Sequence, residues 1–408
     1  MLEYFDFYCV VFASTLAWPQ VFFSGVSPAL GTALSLLSLG IFYLSNPLGA
    51  FIFGHFGDKI GRKTVLVWTL LLMGLGTLAI AVLPGYDAIG VWAPITLVVI
   101  RIVQGIGFGG EFGGASTWIS ECAAESNRRG FWTGWMQVAA YIAAFGASSS
   151  FNIVLALSTH QAFLDYGWRI IFGVGALVGV VGLMLRAKLS DSAIFEALKR
   201  TKSTEREPAS KAIRNHPMTI VALALIAAST LYASTLQPFI ILYLGASKVD
   251  PVFISTIAAY SSGVTIIAAL LGANISDVIG RRWAARVSTI TSTLLVFPLF
   301  LLLKTLNPVF MILSTMIMYG ASGFGFGVLA AMFPEQFPAK YRYSGTGLAF
   351  SLGRVVVGLQ VTIVFPTLIG ISGGPLLAWP LVVAAYALIN AGGLISTFLI
   401  KETRQAVL

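Results

Sequence analysis

The sequence predicts an all-α membrane protein with twelve transmembrane helices in two pseudo-symmetric halves of six, and with both termini in the cytoplasm. Three observations predict this fold. Charged residues make up only 10% of the 408 residues, and hydrophobic residues make up 57%. Twelve long apolar segments run along the chain, and charged motifs recur at matching places in its two halves. A soluble domain carries about 25% charged residues, so this composition excludes a soluble enzyme, a disordered chain and a nucleic-acid-binding protein.

Six apolar segments make up the first half, and each approaches or exceeds the length of about 20 residues that crosses a bilayer. Only helices satisfy the backbone within lipid in runs of this kind, because a transmembrane barrel needs shorter, alternating strands. No basic region precedes the first segment, so a cleaved signal peptide is not expected. The predicted helices span 4–23, 33–55, 64–83, 93–119, 130–157 and 168–187.

Six further segments make up the second half, over 217–243, 252–275, 284–303, 308–332, 343–369 and 376–400. The stretch between the two sets is polar, and residues 186–216 contain eight Lys and Arg residues. We expect a cytoplasmic linker with a short surface helix there. The predicted domains are an N-terminal half over 1–187, a linker over 188–216 and a C-terminal half over 217–408.

Basic residues are concentrated on one side of the predicted bundle. Of the 25 Lys and Arg residues, 20 lie in the even-numbered loops, the central stretch and the tail. The opposite loops contain only Arg169, Lys248 and Lys304. Because basic residues accumulate in cytoplasmic loops, we place both termini and the linker in the cytoplasm. The protein is predicted to be a multi-pass protein of the cell membrane.

The two halves share two charged patterns. GDKIGRK at 57–63 returns as SDVIGRR at 276–282. After the fourth segment Glu121 precedes Arg128, and after the tenth segment Glu335 precedes Arg342 at the same spacing. Duplicated halves are typical of secondary transporters, in which the substrate site lies between the repeats near the membrane midplane. The repeat therefore predicts a transporter.

The 57–63 motif resembles the signature loop of the major facilitator superfamily. Further stretches resemble its metabolite:proton symporter family over nearly the whole chain: LEYFDFY at 2–8, PLGAFIFGHFGDKIGRK at 47–63, RIVQGIGFGGEFGGA at 101–115, GWRIIF at 167–172 and FPEQFPAKYRYSGTG at 333–347. The resemblance implies the major facilitator fold and proton-coupled uptake by alternating access. Substrates in that family include organic acids such as shikimate, 2-oxoglutarate and citrate, and zwitterions such as proline and betaine.

The resemblance also implies which residues hold the halves together. In the superfamily the signature Asp and Arg make charge contacts on the cytoplasmic side that latch the outward-open state. Eight residues take this gating role by resemblance: the loop residues Asp58, Arg62, Asp277 and Arg281, and the charge-relay partners Glu121, Arg128, Glu335 and Arg342. One departure is Asn46, which stands where the family usually has Arg before Pro-Leu-Gly.

Charged residues inside apolar segments are costly in lipid, so they usually face a cavity or a partner. Arg101, Gln104 and Glu111 lie on one face of the fourth helix, whose glycines over 105–114 permit close helix packing. From a rise of about 1.5 Å per residue we place Asp6 at the depth of Glu111, with Arg101 roughly 15 Å further out. Direct pairing of Asp6 with Arg101 is therefore not expected. We predict that Asp6 or Glu111 carries the transported proton and that Arg101 belongs to the coupling machinery.

Arg354 lies inside the eleventh segment, close to the predicted midplane, where a basic residue is unusual for the family. A guanidinium binds a carboxylate through two parallel hydrogen bonds, so we predict that Arg354 anchors a substrate carboxylate. Pairing with a protein carboxylate or with backbone carbonyls is the alternative. Six polar residues are predicted to complete the pocket, with interhelical hydrogen bonds as the alternative for each: Tyr8, Gln104, Gln137, Tyr141, Tyr232 and Gln237.

Two buried arginines favour an organic acid as the substrate, and a zwitterionic or neutral solute such as an amino acid, betaine or a sugar is the alternative. The partners expected are the substrate, protons and the bilayer, without nucleic acid, and a monomer contains a complete two-half transporter. Neither a cofactor nor a metal is expected, because the sequence contains no metal-ligand cluster, nucleophile motif or phosphate loop. An enzyme is therefore not expected, and a channel would not need two latched halves.

Overall fold

A computed structural model of the chain describes residues 2–188, 190–201 and 205–404, without the side chains of residues 2, 3, 29 and 232–234. The described residues are almost entirely helical. Eleven helices are long and apolar enough to cross a membrane, and a shorter apolar helix over Tyr4–Leu16 provides the twelfth. The predicted all-α fold is confirmed, and the side of the membrane on which the termini lie stays a prediction.

The six helices of the first half follow the predicted order. They are α1 (Leu2–Leu16), α2 (Pro28–Ile60), α3 (Arg62–Val82), α4 (Trp92–Cys122), α5 (Arg129–Leu157) and α6 (Trp168–Ala187). Short helices over Trp18–Val21, Tyr86–Ile89 and His160–Ala162 lie in the joints, and a π turn over Phe163–Gly167 leads into α6. Gly61 separates α2 from α3 with a φ of 128°, a conformation that only glycine adopts without strain.

The second half repeats this arrangement. Its helices are α7 (Pro217–Thr230 and Tyr232–Ala246, interrupted at Leu231), α8 (Pro251–Ile279), α9 (Arg281–Lys304), α10 (Pro308–Glu335), α11 (Arg342–Leu359) and α12 (Pro375–Leu399). A π turn over Gln360–Val364 and a helix over Phe365–Ser372 continue α11, and a 3₁₀ turn over Ala339–Tyr341 precedes it. The linker contains two short helices, Ala193–Arg200 and Pro208–Asn215, where one was predicted.

Local sequence explains several helix starts. Proline stands in the first turn of α2, α7, α8, α10 and α12, where its missing N–H costs nothing. Asp250 caps α8 by accepting a hydrogen bond from the backbone of Phe253, and Asn307 caps α10 in the same way.

The halves meet mainly along two helix pairs, α2 with α11 and α5 with α8. These pairs are equivalent under the sequence repeat, because α8 corresponds to α2 and α11 to α5. The glycines of α4 permit the close packing predicted for them: a Cβ on Gly113 would lie 2.8 Å from the Cα of Gly347 in α11. Large apolar side chains such as Leu177, Leu294 and Leu388 are exposed on α6, α9 and α12, which form the lipid-facing surface.

Candidate transport site and latch

Two aspartates at the ends of α2 and α8 cap helices of the opposite half. The Asp58 carboxylate accepts hydrogen bonds from the backbone N–H groups of Tyr343 (3.2 Å) and Ser344 (2.9 Å) at the start of α11. Asp277 accepts hydrogen bonds from the backbone of Gly130 (2.8 Å) and Phe131 (2.9 Å) at the start of α5. A helix N-terminus has unpaired N–H groups and a positive dipole end, so an anion is favourable there. The repeat therefore joins the halves through two equivalent contacts.

Two glutamates form ion pairs beside these contacts. Glu121, at the end of α4, lies 3.1 Å from Arg62 and 3.1 Å from Arg342. Glu335, at the end of α10, lies 2.9 Å from Arg129 and 3.2 Å from Arg281. Each glutamate binds one arginine from its own half and one from the opposite half. Together with Asp58 and Asp277, these residues form what we call the latch.

The structure corrects one of the predicted gating residues. All the predicted gating residues except Arg128 lie in the latch. Arg129 occupies the position that was predicted for Arg128. Arg128 precedes α5 and is exposed, whereas Arg129 is the first residue of the helix and is buried beside Glu335. Equal spacing in the two halves pointed to Arg128, but the first turn of α5 directs the next residue toward α10.

Two hydroxyl residues outside the predicted set complete the latch. Ser192 in the linker donates a hydrogen bond to Glu121. Thr403, which follows α12, donates to Glu335 over 2.7 Å. Both glutamates therefore contact a segment that leaves the last helix of their own half.

The residues that precede Ser192 and Thr403 in the sequence are both acidic, and each caps a helix. Asp191 accepts a hydrogen bond from the backbone of Lys63 (2.9 Å) at the start of α3. Glu402 accepts one from the backbone of Arg281 (2.9 Å) at the start of α9. Partial burial alone would raise the pKa of Glu402, but several backbone N–H groups outweigh it and lower the pKa below its usual value. The dipeptides Asp-Ser and Glu-Thr, which follow the two six-helix sets, are the sequence signal of this repeat, and they lie outside the charged motifs that predicted the latch.

Within the membrane, Asp6 of α1 is fully buried and forms a direct ion pair with Arg101 of α4. Thr77 (2.6 Å) and Gln104 (3.2 Å) also donate hydrogen bonds to Asp6, and Arg101 donates to Gln104 over 2.7 Å. The guanidinium of Arg101 lies over the ring of Phe42. The prediction that Asp6 and Arg101 do not pair is wrong, because the rise per residue does not determine how far α1 is shifted along α4.

Glu111 lies in a separate ion pair. It contacts Arg186 at the end of α6, and Thr69 of α3 donates a hydrogen bond to it over 2.9 Å. The predicted common depth of Asp6 and Glu111 is therefore also wrong, because Asp6 contacts the part of α4 nearer its start. The sequence places Arg186 among the basic residues of the predicted cytoplasmic side. Its position in the last turn of α6 nevertheless allows its side chain to point into the bundle.

Arg354 of α11 is 1% exposed, and its guanidinium interacts with the side chain of Tyr4. Among the described residues it makes no hydrogen bond to a carboxylate or to a backbone carbonyl. Aromatic rings of both halves surround it, with Phe108 at 4.0 Å, Phe350 at 5.0 Å and Tyr43 at 5.6 Å from the guanidinium carbon. Cation–π attraction offsets part of the cost of burying this charge. Unused donors still carry a penalty of about 1–3 kcal/mol each. In the described part of the chain Arg354 has no ion-pair partner.

Three other predicted pocket residues are buried but have different surroundings. Gln137 of α5 donates to the carbonyl of Phe326 in α10 over 3.1 Å, and its own carbonyl oxygen is unbonded among the described residues. Tyr141 packs edge-on against Phe326. Gln237 of α7 also has a buried carbonyl oxygen without a described partner.

The three remaining residues predicted for the pocket are Tyr8, Gln104 and Tyr232. Tyr8 is buried and interacts electrostatically with Arg354. Gln104 lies in the Asp6 cluster, where both ends of its amide are engaged. The side chain of Tyr232 lies outside the described residues. Asn46, where the family usually has Arg, faces the carbonyl of Gly105; with its side-chain amide oriented to donate, the nitrogen lies 2.8 Å from that oxygen and joins α2 to α4.

Comparison with known proteins decides the family. A family model described as Major Facilitator Superfamily matches residues 2–361. The chain belongs to the major facilitator superfamily. It is 32% identical to the shikimate transporter of Escherichia coli (strain K12), over 100% of this chain and 93% of that protein. Identity to the inner membrane metabolite transport protein YhjE of the same strain is 32%, over 87% and 82% of the two chains.

Other members of the superfamily show how widely this fold is used. The proline/betaine transporter of Escherichia coli (strain K12) is 30% identical over 89% of this chain and 74% of its own length. The proton:xylose symporter XylE, solved with 6-bromo-6-deoxy-D-glucose, has a TM-score of 0.74 at 14% identity and covers 100% of this chain and 95% of its own. The superfamily and the fold make this chain a multi-pass membrane transporter of small molecules rather than an enzyme.

Proposed function

We propose that the protein is a proton-coupled symporter that takes up a small organic acid by alternating access and functions as a monomer. Arg354 is the observation that carries the choice of substrate. Its guanidinium is buried, is enclosed by rings from both halves and has tyrosine side chains but no carboxylate as polar neighbours among the described residues, which supports a place in the substrate site between the repeats. A carboxylate would satisfy its donors in pairs.

The coupling site we propose is Asp6 with Arg101. Asp6 accepts hydrogen bonds from Thr77, Gln104 and Arg101, all in the N-terminal half. Protonation of Asp6 removes the counter-charge of Arg101, so the two protonation states favour different arrangements of α1 and α4. Glu111 with Arg186 forms a second pair nearer the latch and is the alternative carrier.

The latch and an apolar cleft support alternating access. The latch closes the side that we propose is cytoplasmic. At the other end of the bundle a cleft of about 490 Å³ separates α1 and α2 from α7 and α11, and Leu16, Leu36 and Ile369 are among its lining residues. Rocking of the halves would close this cleft and break the latch. Because the latch contacts come from both halves of one chain, a monomer contains the whole mechanism.

A zwitterion is the second candidate, since relatives at about this identity include proline/betaine transporters. The carboxylate of a zwitterion would also bind Arg354. Its cationic group would then need an acidic or aromatic partner close by, and the rings nearest Arg354 already face the guanidinium. The described residues place no carboxylate within ion-pair distance of Arg354, which favours an acid.

Substitution of Arg354 tests the substrate assignment. Arg354→Lys keeps the charge but cannot form the two parallel hydrogen bonds, so we expect the KM for the transported acid to rise by about tenfold to a hundredfold. Arg169→Lys is the matched control, because Arg169 binds the backbone carbonyl of Ala81 outside the site. Uptake of labelled acids into proteoliposomes measures both variants. An unchanged KM in Arg354→Lys, with Arg169→Lys also unchanged, would overturn the assignment.

A further inference from the structure

A second basic site lies away from the transport pathway, where α9 begins and the chain leaves α12. A cavity of about 380 Å³ opens there, and the residues that line it include Arg282, Trp283, Arg286, Glu402 and Arg404. None of these side chains belongs to the latch, and Glu402 caps α9 beside it. The cavity is therefore separate from the latch and from the transport site.

The cavity has an excess of positive charge. None of Arg282, Arg286 and Arg404 forms an ion pair within the part of the chain that the structure describes. Glu402 is the one carboxylate among the lining residues, and its oxygens accept hydrogen bonds from backbone N–H groups, including that of Arg282 at 3.0 Å. The Glu402 carboxylate thus binds the N-terminal end of α9. The three guanidinium groups around the opening leave an excess of positive charge there.

Two of the arginines are held in place by the protein. The Nε atoms of Arg282 and Arg286 donate to Thr397 of α12, to its carbonyl and its hydroxyl respectively, both over 3.0 Å. Arg286 also lies over the ring of Phe398 at 3.9 Å. Arg286 Nη2 also donates to the carbonyl of Thr397 over 3.4 Å. The other terminal nitrogens of the two arginines make no hydrogen bond to the described residues and are available to a ligand in the cavity. Two fixed guanidinium groups side by side are a binding arrangement for phosphate oxygens.

The cavity lies at the end of two lipid-facing surfaces. On α9, Trp283 (59% exposed) begins an apolar stripe that continues through Val287, Ile290 and Leu294. On α12, exposed apolar residues reach Phe398 and Leu399 at the last turn. The arginines therefore stand where the hydrocarbon surface gives way to water, which is the level of phospholipid headgroups. Trp283 has the interfacial place that tryptophan prefers.

The sequence repeat shows that this site belongs to the second half alone. Under the offset that relates the two signature loops, Arg282 corresponds to Lys63 and Arg286 to Val67. The first half therefore carries one cation where the second carries two. In the first half the helix over Ala193–Arg200 also covers this region, with Phe195 over Arg62 at 4.4 Å. The latch contacts occur in both halves, whereas the arginine cluster occurs in the second half alone.

We propose that Arg282, Arg286 and Arg404 bind the phosphate headgroup of an anionic phospholipid, with its acyl chains along the apolar surfaces of α9 and α12. Basic pockets between transmembrane helices at the membrane surface bind anionic lipid headgroups in this way. Because the headgroup would bridge α9, Thr397 and the tail that carries Thr403, bound lipid supports the closed latch.

The test is thermal unfolding of the full chain in detergent, titrated with phosphatidylglycerol, phosphatidylcholine or inorganic phosphate. We expect phosphatidylglycerol to raise the unfolding temperature and phosphatidylcholine to have little effect. Arg282→Gln with Arg286→Gln should weaken the apparent Kd for phosphatidylglycerol about 25-fold, from about fivefold for each charge. Arg282→Lys with Arg286→Lys keeps the charges but loses the Nε anchors to Thr397, so it should weaken the Kd less than the double glutamine variant does. Lys63→Gln is the matched control and should leave the Kd unchanged.

Arg404→Gln keeps the test decisive if the double glutamine variant does not fold, and we expect it to weaken phosphatidylglycerol binding about fivefold. Equal stabilisation by phosphatidylcholine would overturn the proposal, as would wild-type affinity in both Arg→Gln variants. Stabilisation by inorganic phosphate with the same arginine dependence, but none by phosphatidylglycerol, would assign the site to a soluble phosphate and overturn the lipid.

Discussion

Replacing Asp58 by Asn tests how strongly the latch holds the halves together. The carboxylate accepts hydrogen bonds from the backbone of Tyr343 and Ser344 and from the Ser344 hydroxyl, at 3.2, 2.9 and 2.8 Å. Asparagine retains one acceptor oxygen and loses the charge at the helix N-terminus. A hydrogen bond to a charged group is worth about 1.5–3 kcal/mol and the helix-end charge about 0.3–1 kcal/mol. We expect the substitution to destabilise the closed latch by about 2 kcal/mol, which corresponds to roughly a 30-fold shift toward the state with the latch open.

Amide hydrogen exchange measures this shift without a label. If the halves separate, exchange accelerates at Tyr343 and Ser344 and also at Gly130 and Phe131, which bind Asp277 in the equivalent contact. Faster exchange at the second pair is the informative result, because Asp58 does not touch it. Acceleration at Tyr343 and Ser344 alone would mean local fraying and would refute the reasoning.

Asp250→Asn is the matched control for this experiment. Asp250 is also a helix-capping aspartate, but it accepts its hydrogen bond from Phe253 within its own half. We expect faster exchange near Phe253 and no change at the latch. If Asp250→Asn accelerated exchange at the latch as much as Asp58→Asn, the effect would reflect general destabilisation.

Three further predictions concern coupling, packing and pH. Asp6→Asn should retain exchange of labelled substrate across proteoliposomes but lose accumulation driven by a pH gradient, because no proton is then carried; pH-driven accumulation at the wild-type level would contradict the coupling site. Gly113→Ala should accelerate exchange at Tyr343 several-fold, since its Cβ would meet Gly347 across the halves at 2.8 Å, whereas Gly74→Ala, with no atom within 4 Å, should leave it unchanged. Hydrogen bonds hold the pKa of Glu402 below its usual value, so its stabilising effect is fully present above about pH 4.3 and is lost as the pH falls through the lower folded value. Glu402→Gln should remove that part of the acid dependence of the unfolding temperature, and identical pH profiles for both proteins would argue against it.

The helices were largely predictable because the thickness of the bilayer sets their length. The segment predicted over 64–83 is α3 (Arg62–Val82), and the segment over 130–157 is α5 (Arg129–Leu157). Hydropathy underestimates helices that extend past the lipid, so α2 continues to Ile60 beyond the predicted end at 55. It also cannot mark the interruption at Leu231, because the helical segments on both sides are apolar on average.

The latch was predictable in outline because the repeat duplicates its charges. Which of two adjacent arginines points inward depends on the first residue of α5, and spacing alone does not determine that turn. Periodicity places Arg101 and Glu111 on one face of α4 but says nothing about how far α1 is shifted along it. The pairing of Asp6 with Arg101 follows from that shift. That no described carboxylate pairs with Arg354 is likewise a property of the folded chain.

Simultaneous measurement of substrate and proton flux tests the central proposal most directly. The protein would be reconstituted in liposomes that contain a pH-sensitive dye, and labelled organic acids, amino acids and sugars would be added one at a time. We predict that one organic acid enters and acidifies the lumen, that empty liposomes show neither change, and that Arg354→Lys weakens both together. Uptake of an acid without lumenal acidification, or acidification with only a zwitterion or a sugar, would contradict proton-coupled transport of an organic acid.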